Sequence, residues 1–483
     1  MNQPTSRFIA IAAFFIIFVS LGIFALPRVV RALPGSYVVR LQNHPLTSGV
    51  VELVTTPMPD SLPTRSSEQL AAAGGAPAFE IRGIDEQGSS FGNPEIMAVT
   101  EPGEPPTPQP SPTRETIIIT VGGAATAEPG AAAPAADEPT PTPSPTATAT
   151  PPPLPDRVML ENVPVEVQTF NNCGPANMTI VLNFWGVETT QADAASYLKP
   201  NREDRNVSPW QINDYVNEFT SLKSTAHASG TPEILKQFIA AGFPVVIEKG
   251  YEPQQGNEGW YGHYLTVYGY DDTRQEFYSR DTYLGPTDGS PRIDSYDEFM
   301  KWWQQFYYTF YVIYPEHRAG EVFRIIPEVL QDDETMWRHT IEIARRELQA
   351  ESENVFTWFN LGVALTRLAA LTGNQQEYLE ATQVFDRARD IGLPPRTLYY
   401  EHRPFLAYYR TGRFNDILEL TGALINDAGG KWVEEVHYWR GNALAMTNEL
   451  RAAQEAYQEA LRVNPNFYYA EWALDDVNSR LGD

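Results

Sequence analysis

Gln168-Thr-Phe-Asn-Asn-Cys173-Gly-Pro-Ala176 sets the only cysteine of a 483-residue chain directly ahead of an apolar run, Met178 to Trp185, that stops at Gly186. The run has helical character, and Pro175 suits a first helical turn, where its missing N–H costs nothing. The thiol is therefore expected at a helix N-terminus, where partial positive charge favours the thiolate. A lone cysteine has no internal disulfide partner and no second thiol with which to hold a metal. Taken by itself it also reads as a small buried hydrophobe. The residues that follow decide between these readings.

Gly259-Trp-Tyr-Gly-His263-Tyr-Leu-Thr-Val-Tyr-Gly-Tyr-Asp271 puts a histidine at the start of a strand-like apolar stretch. Glu276-Phe-Tyr-Ser-Arg-Asp281 then ends a second short strand on a carboxylate, 18 residues after His263 (281 − 263). A cysteine nucleophile needs a base to take its proton, and the base needs a third group to fix its tautomer. Cys173, His263 and Asp281 can fill those roles, and Gln168 can offer a side-chain N–H to a developing oxyanion beside the Cys173 amide. Asp271 and Asp272 are nearer to His263 in sequence, but they follow the strand at a turn and rank below Asp281.

The Gln168…Cys173-Gly-Pro-Ala motif, the Gly262-His263-Tyr264 strand start and the later Asp281 resemble the papain-like bacteriocin-processing (double-glycine leader) peptidases. The resemblance is closer to their stand-alone peptidase-like relatives, and it covers roughly Arg157 to Pro315. It implies Cys173 as nucleophile, His263 as general base, Asp281 as orienting acid and Gln168 as oxyanion donor. Transporter-linked members carry an exporter domain to which nothing in this chain is similar, so the implication stops short of a double-glycine leader as substrate.

The formal net charge of −26 argues against a basic nucleic-acid-binding surface. Phe8 to Leu26 is an uncharged run of 19 residues flanked by Arg7, Arg28 and Arg31, long enough to span a bilayer. An uncleaved anchor is the expectation, since Val30-Arg-Ala32 makes a poor processing site. The flanking arginines favour a cytoplasmic C-terminal side. The short N-terminal tail and a Pro/Thr-rich stalk favour the outside, which is the orientation expected here. Residues 35–156 read as a largely disordered Pro/Thr/Ala-rich linker, with Val38 to Leu41, Val50 to Val54 and Thr116 to Val121 as isolated strand candidates.

Residues 157–318 are expected to form an α+β papain-like domain, helices first and then a mostly antiparallel sheet. The expected helices are Cys173 onward, Gln191–Leu198, Ser208–Phe219, Thr231–Ala241 and Ser295–Phe306. The expected strands are Pro244–Lys249, Tyr264–Tyr270, Glu276–Arg280 and Tyr307–Tyr314. Trp260 and Tyr261 suit either a cleft wall or aromatic packing at a hairpin tip. Asn171 and Asn172 are residues that bond turn backbone. His227, His317, His339, His402 and His437 show no ligand spacing, and no cofactor is expected.

Residues 319–483 turn helical. Trp358-xx-Leu361-Gly362 with Ala381-xxx-Phe385-xx-Ala388 is similar to a tetratricopeptide repeat. The second motif recurs as Ala453-xxx-Tyr457-xx-Ala460, 72 residues on (453 − 381), near two periods with an insertion. Three repeats are expected, preceded by Met336–Leu348 and capped by Phe467–Leu481. Such an array offers a groove to a protein or peptide partner. The whole reads as a membrane-anchored, extracytoplasmic cysteine peptidase acting on a peptide or protein. The alternatives are an inactive peptidase-fold scaffold, or an acyl transferase using the same thioester chemistry.

Overall fold

A computed structural model of the chain describes residue 62 and residues 153–252, 259–426 and 429–482. The N-terminal apolar span, the three isolated strand candidates and nearly all of the Pro-rich stretch lie outside these residues.

The first folded part is a mixed α/β unit with an antiparallel sheet. In chain order it runs β1 (Arg157–Met159), α1 (Cys173–Phe184), α2 (Gln191–Leu198), α3 (Pro209–Phe219), β2 (Leu222–His227) and α4 (Pro232–Ala240). It continues through β3 (Val245–Tyr251), β4 (Tyr261–Asp271), β5 (Glu276–Arg280), β6 (Arg292–Ser295), α5 (Tyr296–Trp303) and β7 (Phe310–Pro315). The strand order is β2-β7-β3-β4-β5-β6. β1 pairs with the last residues of β4, beyond the stretch that β3 covers.

Local chemistry sets the helix starts. Ser208 precedes Pro209, and the Gln211 side chain reaches back to the Ser208 N–H at 2.7 Å, half of a capping box. Thr231 caps α4 ahead of Pro232, and Gly242 takes φ +86° just after its end. The four strands expected within residues 157–318 are present, with bounds shifted by up to three residues. β1, β2 and β6 are additional: Leu222-Lys-Ser-Thr-Ala-His227 and Arg292-Ile-Asp-Ser295 are too short and too polar to signal strands by alternation. The long final helix expected at Ser295–Phe306 is α5 followed by a 3-10 turn, Gln304–Phe306.

Alternation along β3 and β4 separates two apolar layers. Val246 and Tyr264 pack with Met178, Val181 and Leu182 of α1. Val245, Ile247, Leu265 and Val267 join Phe238, Phe299 and Trp303 on the other face. Covering both faces explains why β3 is buried over most of its length.

The second part is helical: α6 (Ala319–Ile325), α7 (Glu328–Gln331), α8 (Asp333–Ala350), α9 (Val355–Thr372), α10 (Gln375–Ile391), α11 (Thr397–Tyr400), α12 (Arg403–Arg410), α13 (Phe414–Asn426), α14 (Glu434–Met446), α15 (Leu450–Val463) and α16 (Tyr468–Leu481). The pairs α9/α10, α12/α13 and α14/α15 correspond to the three expected repeats. In the first and last, a glycine lets an aromatic ring approach the helix backbone. A Cβ at Gly362 would stand 2.5 Å from the Phe385 ring, and one at Gly441 would stand 2.5 Å from the Tyr457 ring. Leu62 reaches this array, donating its N–H to Leu393 O at 3.0 Å and burying its side chain.

Both aromatic rings are buried, so Gly441→Ala should overpack the last repeat. A loss of about 1–3 kcal/mol is expected, read as a lower denaturation midpoint, with the same direction for Gly362→Ala.

Candidate active site

Cys173 is the first residue of α1 and is partly exposed. Asn172, the residue before it, makes no side-chain cap on the helix. Its amide is held elsewhere: Nδ2 donates to Thr169 Oγ1 at 2.9 Å, and Oδ1 accepts from Lys199 Nζ at 3.3 Å. Asn171 takes φ +59° and donates to Glu203 O at 3.2 Å, a left-handed turn that asparagine tolerates. The two asparagines therefore shape the turn that delivers the thiol.

One turn into the helix, Asn177 fixes the orientation of groups around Cys173. Its Nδ2 faces Cys173 O at 2.9 Å and Tyr264 O at 3.0 Å. Carbonyls only accept, so the amide nitrogen must be there and Oδ1 must take the Thr266 hydroxyl at 2.8 Å. The same Nδ2 approaches Thr282 Oγ1 at 3.2 Å, and that hydroxyl donates to Gln168 Oε1 at 2.8 Å. With its oxygen so held, the Gln168 amide has Nε2 as the end available to a ligand.

His263 lies near the start of β4 and is buried. Its Nε2 stands 2.9 Å from Asp281 Oδ1, which leaves Nδ1 as the second ring nitrogen. Asp281 follows β5 and is held on all sides. Oδ1 also accepts from the Tyr283 and Leu284 N–H groups, each at 2.9 Å, and Oδ2 accepts from Arg292 Nη1 at 2.8 Å. Arg292 is itself paired with Asp294 through two 2.8 Å bonds.

Burial alone would pull the His263 pKa down. The charge and hydrogen bond of Asp281 override it, hydrogen bonding and charge from Cys173 add to them, and the imidazole is raised to about 9. Burial likewise opposes ionisation of Asp281, but His263, the Leu284 N–H and Arg292 hold its carboxyl well below the usual range. Cys173, His263 and Asp281 thus form one interacting set, with Gln168 tied in through Thr282.

Further charges surround this set. Lys199 is buried, its pKa lowered by burial and raised in part by Asp204 and Cys173. Lys249 pairs in register with His263 across β3 and β4. Burial and then Arg292 bring it down to about 8. The helical array also reaches the site. A Cβ at Gly262, next to His263, would stand 2.7 Å from the Phe306 ring and 3.2 Å from the Tyr400 ring. Trp260 stacks on Phe306 at 5.8 Å between centroids and meets Phe356 at 5.4 Å and Tyr400 at 6.0 Å. Of its two readings, aromatic packing holds for Trp260. Tyr261 contacts Tyr251 and Tyr283.

Asp271 and Asp272 are engaged elsewhere, Asp271 with Arg157 and Asp272 with Lys236. Asn177, Thr282, Arg292, Lys199, Lys249 and Tyr400 were not singled out from sequence. Asn177 sits one helical turn after Cys173, and Thr282 adjoins Asp281, so spacing alone could have flagged these two. Among the described residues, no group of three or more His, Cys, Asp or Glu is arranged to hold a metal ion.

Residues 160–311 match the model of the Peptidase_C39 like family, and residues 434–467 match that of the tetratricopeptide repeat. Among solved structures, a C39-like peptidase from Bacillus anthracis is 18% identical, covering 32% of this chain and 96% of that one, with a TM-score of 0.27. The MamA RS-1 ArsTM double mutant is 20% identical, covering 31% of this chain and 77% of its own, with a TM-score of 0.27. No curated protein matches the chain.

Because His263 is raised to about 9, its pairing contributes stability that is complete below the unfolded value near 6.5 and is lost as pH rises through about 9. Asp281→Asn removes the charge that opposes burial. The His263 titration, followed by side-chain NMR, should then fall towards or below 6.5. A titration unchanged near 9 would show that Asp281 does not govern the imidazole.

Proposed function

We propose that this chain, a C39-like peptidase domain fused to tetratricopeptide repeats, is a papain-like cysteine peptidase. The observation that carries the reading is the 2.9 Å contact between His263 Nε2 and Asp281 Oδ1, with Cys173 acting on the same imidazole from a helix N-terminus. Fold alone never establishes activity. An imidazole held between a carboxylate and a thiol is the arrangement that activates a cysteine.

In the proposed reaction, the Cys173 proton resides on His263 and Sγ attacks the scissile carbonyl carbon. The carbonyl electrons move onto oxygen, where Gln168 Nε2 and the Cys173 N–H donate to the oxyanion. Collapse of the intermediate breaks the C–N bond, and His263 gives its proton to the leaving amine. Water then attacks the thioester, with His263 taking its proton, and the acid product departs as Sγ–C breaks. Asp281 stabilises the imidazolium throughout, and Arg292 keeps Asp281 ionised and oriented.

The repeat array supports protein or peptide binding. The proposal also puts the folded part outside the cytoplasm, on an uncleaved N-terminal span with a Pro/Thr/Ala-rich stalk. Its support is the uncharged run Phe8 to Leu26 and the composition of residues 35–156. Resistance of the protein to alkaline extraction, together with cleavage of its folded part by protease added to intact cells, is the expected result.

Labelling by a thiol-directed probe tests the chemistry. Wild type should react rapidly at neutral and mildly acidic pH, and His263→Ala should lose that reactivity. Slow labelling that the mutation leaves unchanged would mean an ordinary cysteine. With a peptide substrate in hand, Gln168→Ala should lower kcat by roughly 10²–10³-fold, the range for removal of one oxyanion donor.

A further inference from the structure

A concave feature near the candidate active site lies between the α/β unit and the helical array. It is a cavity of about 470 Å³, within the usual range of ligand pockets. One wall comes from α3, β2 and Glu248 of β3. The other comes from the array, including Asp333, Trp337, Arg367, the Tyr400–Arg403 segment and Glu435. Asp214, at its α3 side, is exposed. Of the lining residues, Glu248 and Tyr400 are within electrostatic reach of Cys173.

The lining is acidic and aromatic. Its carboxyls are Asp214, Glu248, Asp333, Glu401 and Glu435, against the guanidinium groups of Arg367 and Arg403. Both arginines converge on one of those carboxyls: each has a guanidinium nitrogen 3.7 Å from a Glu401 oxygen. Arg367 also acts on Asp333 and Glu248, and Arg403 on Glu435, while Glu248 is bonded to Tyr264, so five carboxyls share two cations. Burial pushes the Glu248 and Glu435 carboxyls well above their usual range, and Asp333 up to about 8. Trp210, Phe306, Trp337, Tyr400 and Tyr469 add aromatic surface. On their own, the Glu248, Glu435 and Asp333 carboxyls are therefore largely protonated at neutral pH; an entering cation favours their ionised form, and carboxylates beside aromatic faces receive it.

Buried polar atoms without a protein partner sharpen the picture. His402 is held neutral by burial, its pKa lowered to about 4, and it donates to Leu398 O. Nε2 is the unpartnered ring nitrogen, so Nδ1 is the donor and Nε2 carries a lone pair. Glu435 Oε2 is a second buried polar atom with no partner. The two residues are 3% to 5% exposed, and Glu435 Oε1 stands 3.8 Å from His402 Nδ1. On the donor side, the Nε atoms of Arg367 and Arg403 are also buried and unpartnered. A peptide supplies both kinds of complement: N–H donors on a cationic side chain, and main-chain carbonyl oxygens.

We propose that this interdomain cavity is the specificity pocket for a basic side chain, lysine or arginine, of the peptide substrate. The inference rests on the peptide-hydrolysing reading above and gives the array a direct part in selecting the substrate. The array forms one wall of the pocket. An anionic group would meet more carboxyls than cations there, and an aliphatic one would leave the buried Glu435 Oε2 and His402 Nε2 without partners, each a cost in binding.

The test uses the full-length chain carrying Cys173→Ala, immobilised, so that binding is read without turnover. It is offered three libraries of acetylated, amidated octapeptides. Seven positions vary over neutral residues, and the fourth is fixed as lysine, norleucine or glutamate. Retention of the lysine library about tenfold or more above norleucine, with glutamate lowest, is expected. Glu435→Gln and Asp333→Asn, each checked for an unchanged melting curve, should bring the lysine-to-norleucine ratio towards one. Equal retention of lysine and norleucine, preference for glutamate, or a lysine preference that neither substitution moves would overturn the proposal. The parent comparison stands even if a variant fails to fold. Slow thiol labelling of wild type would remove the peptidase reading separately, leaving the measured lysine preference as a binding property.

Discussion

The buried carboxylate of Asp281 is the constraint on which the candidate site depends. A charge removed from water is costly unless every lone pair finds a donor. Here four donors converge on it within 2.9 Å: His263, two backbone amides of the following turn, and Arg292. The two amides belong to its own turn, so the position of the carboxylate is set locally. Arg292 comes from β6, which pairs Ser279 with Arg292 across β5. The same pairing that closes this edge of the sheet therefore keeps the aspartate ionised. The aspartate in turn keeps an imidazole charged in a place where burial would neutralise it.

The helical array is part of this arrangement. Its aromatic residues close on Gly262 and Trp260, immediately before His263, and a side chain on Gly262 would displace them. Apolar side chains of both parts belong to one continuous core. Buried polar groups also cross the junction, with Asp204 acting on Glu434 and Glu435 of α14, and Glu401 acting on Glu248. A unit joined to its neighbour in this way cannot be displaced without exposing apolar rings and buried carboxyls together.

Much of this was legible in the sequence because it rested on periodicity and on residue types with narrow uses. Cys173 ahead of a Pro-containing helix start, His263 at a strand start and Asp281 at a strand end each carried a local signal. So did the glycine and aromatic positions of the repeats. What was not legible depends on contacts between distant segments. β2 is a polar strand, Leu222–His227, stabilised by its pairing with β7, and nothing within its six residues announces that. Arg292 lies in an equally polar stretch. Lys199 is a lysine at the end of an ordinary helix until the turn at Asn172 is folded over it. A cleft wall and aromatic packing were equally open for Trp260, since the array supplies its partners Phe356 and Tyr400, 96 and 140 residues later in the chain (356 − 260 and 400 − 260).

The register of β3 against β4 links the candidate site to the cavity beside it. Glu248 pairs with Tyr264, and Lys249 pairs with His263. Successive residues of a strand point to opposite faces. Glu248 therefore belongs to the face shared with α1 and the cavity, while Lys249 belongs to the face of His263, Asp281 and Arg292. A slip of one residue would exchange them. It would set a carboxylate beside Asp281, where like charge opposes the ionised state, and a lysine in a cavity whose acidity would be partly neutralised. The apolar neighbours oppose the slip, since Val246 and Ile247 would also change faces and leave both packed layers. Packing thus holds the alternation, and the alternation assigns a carboxyl to one side of the sheet and an amine to the other. The charge balance of the imidazole site and the acidity of the cavity are consequences of one backbone register.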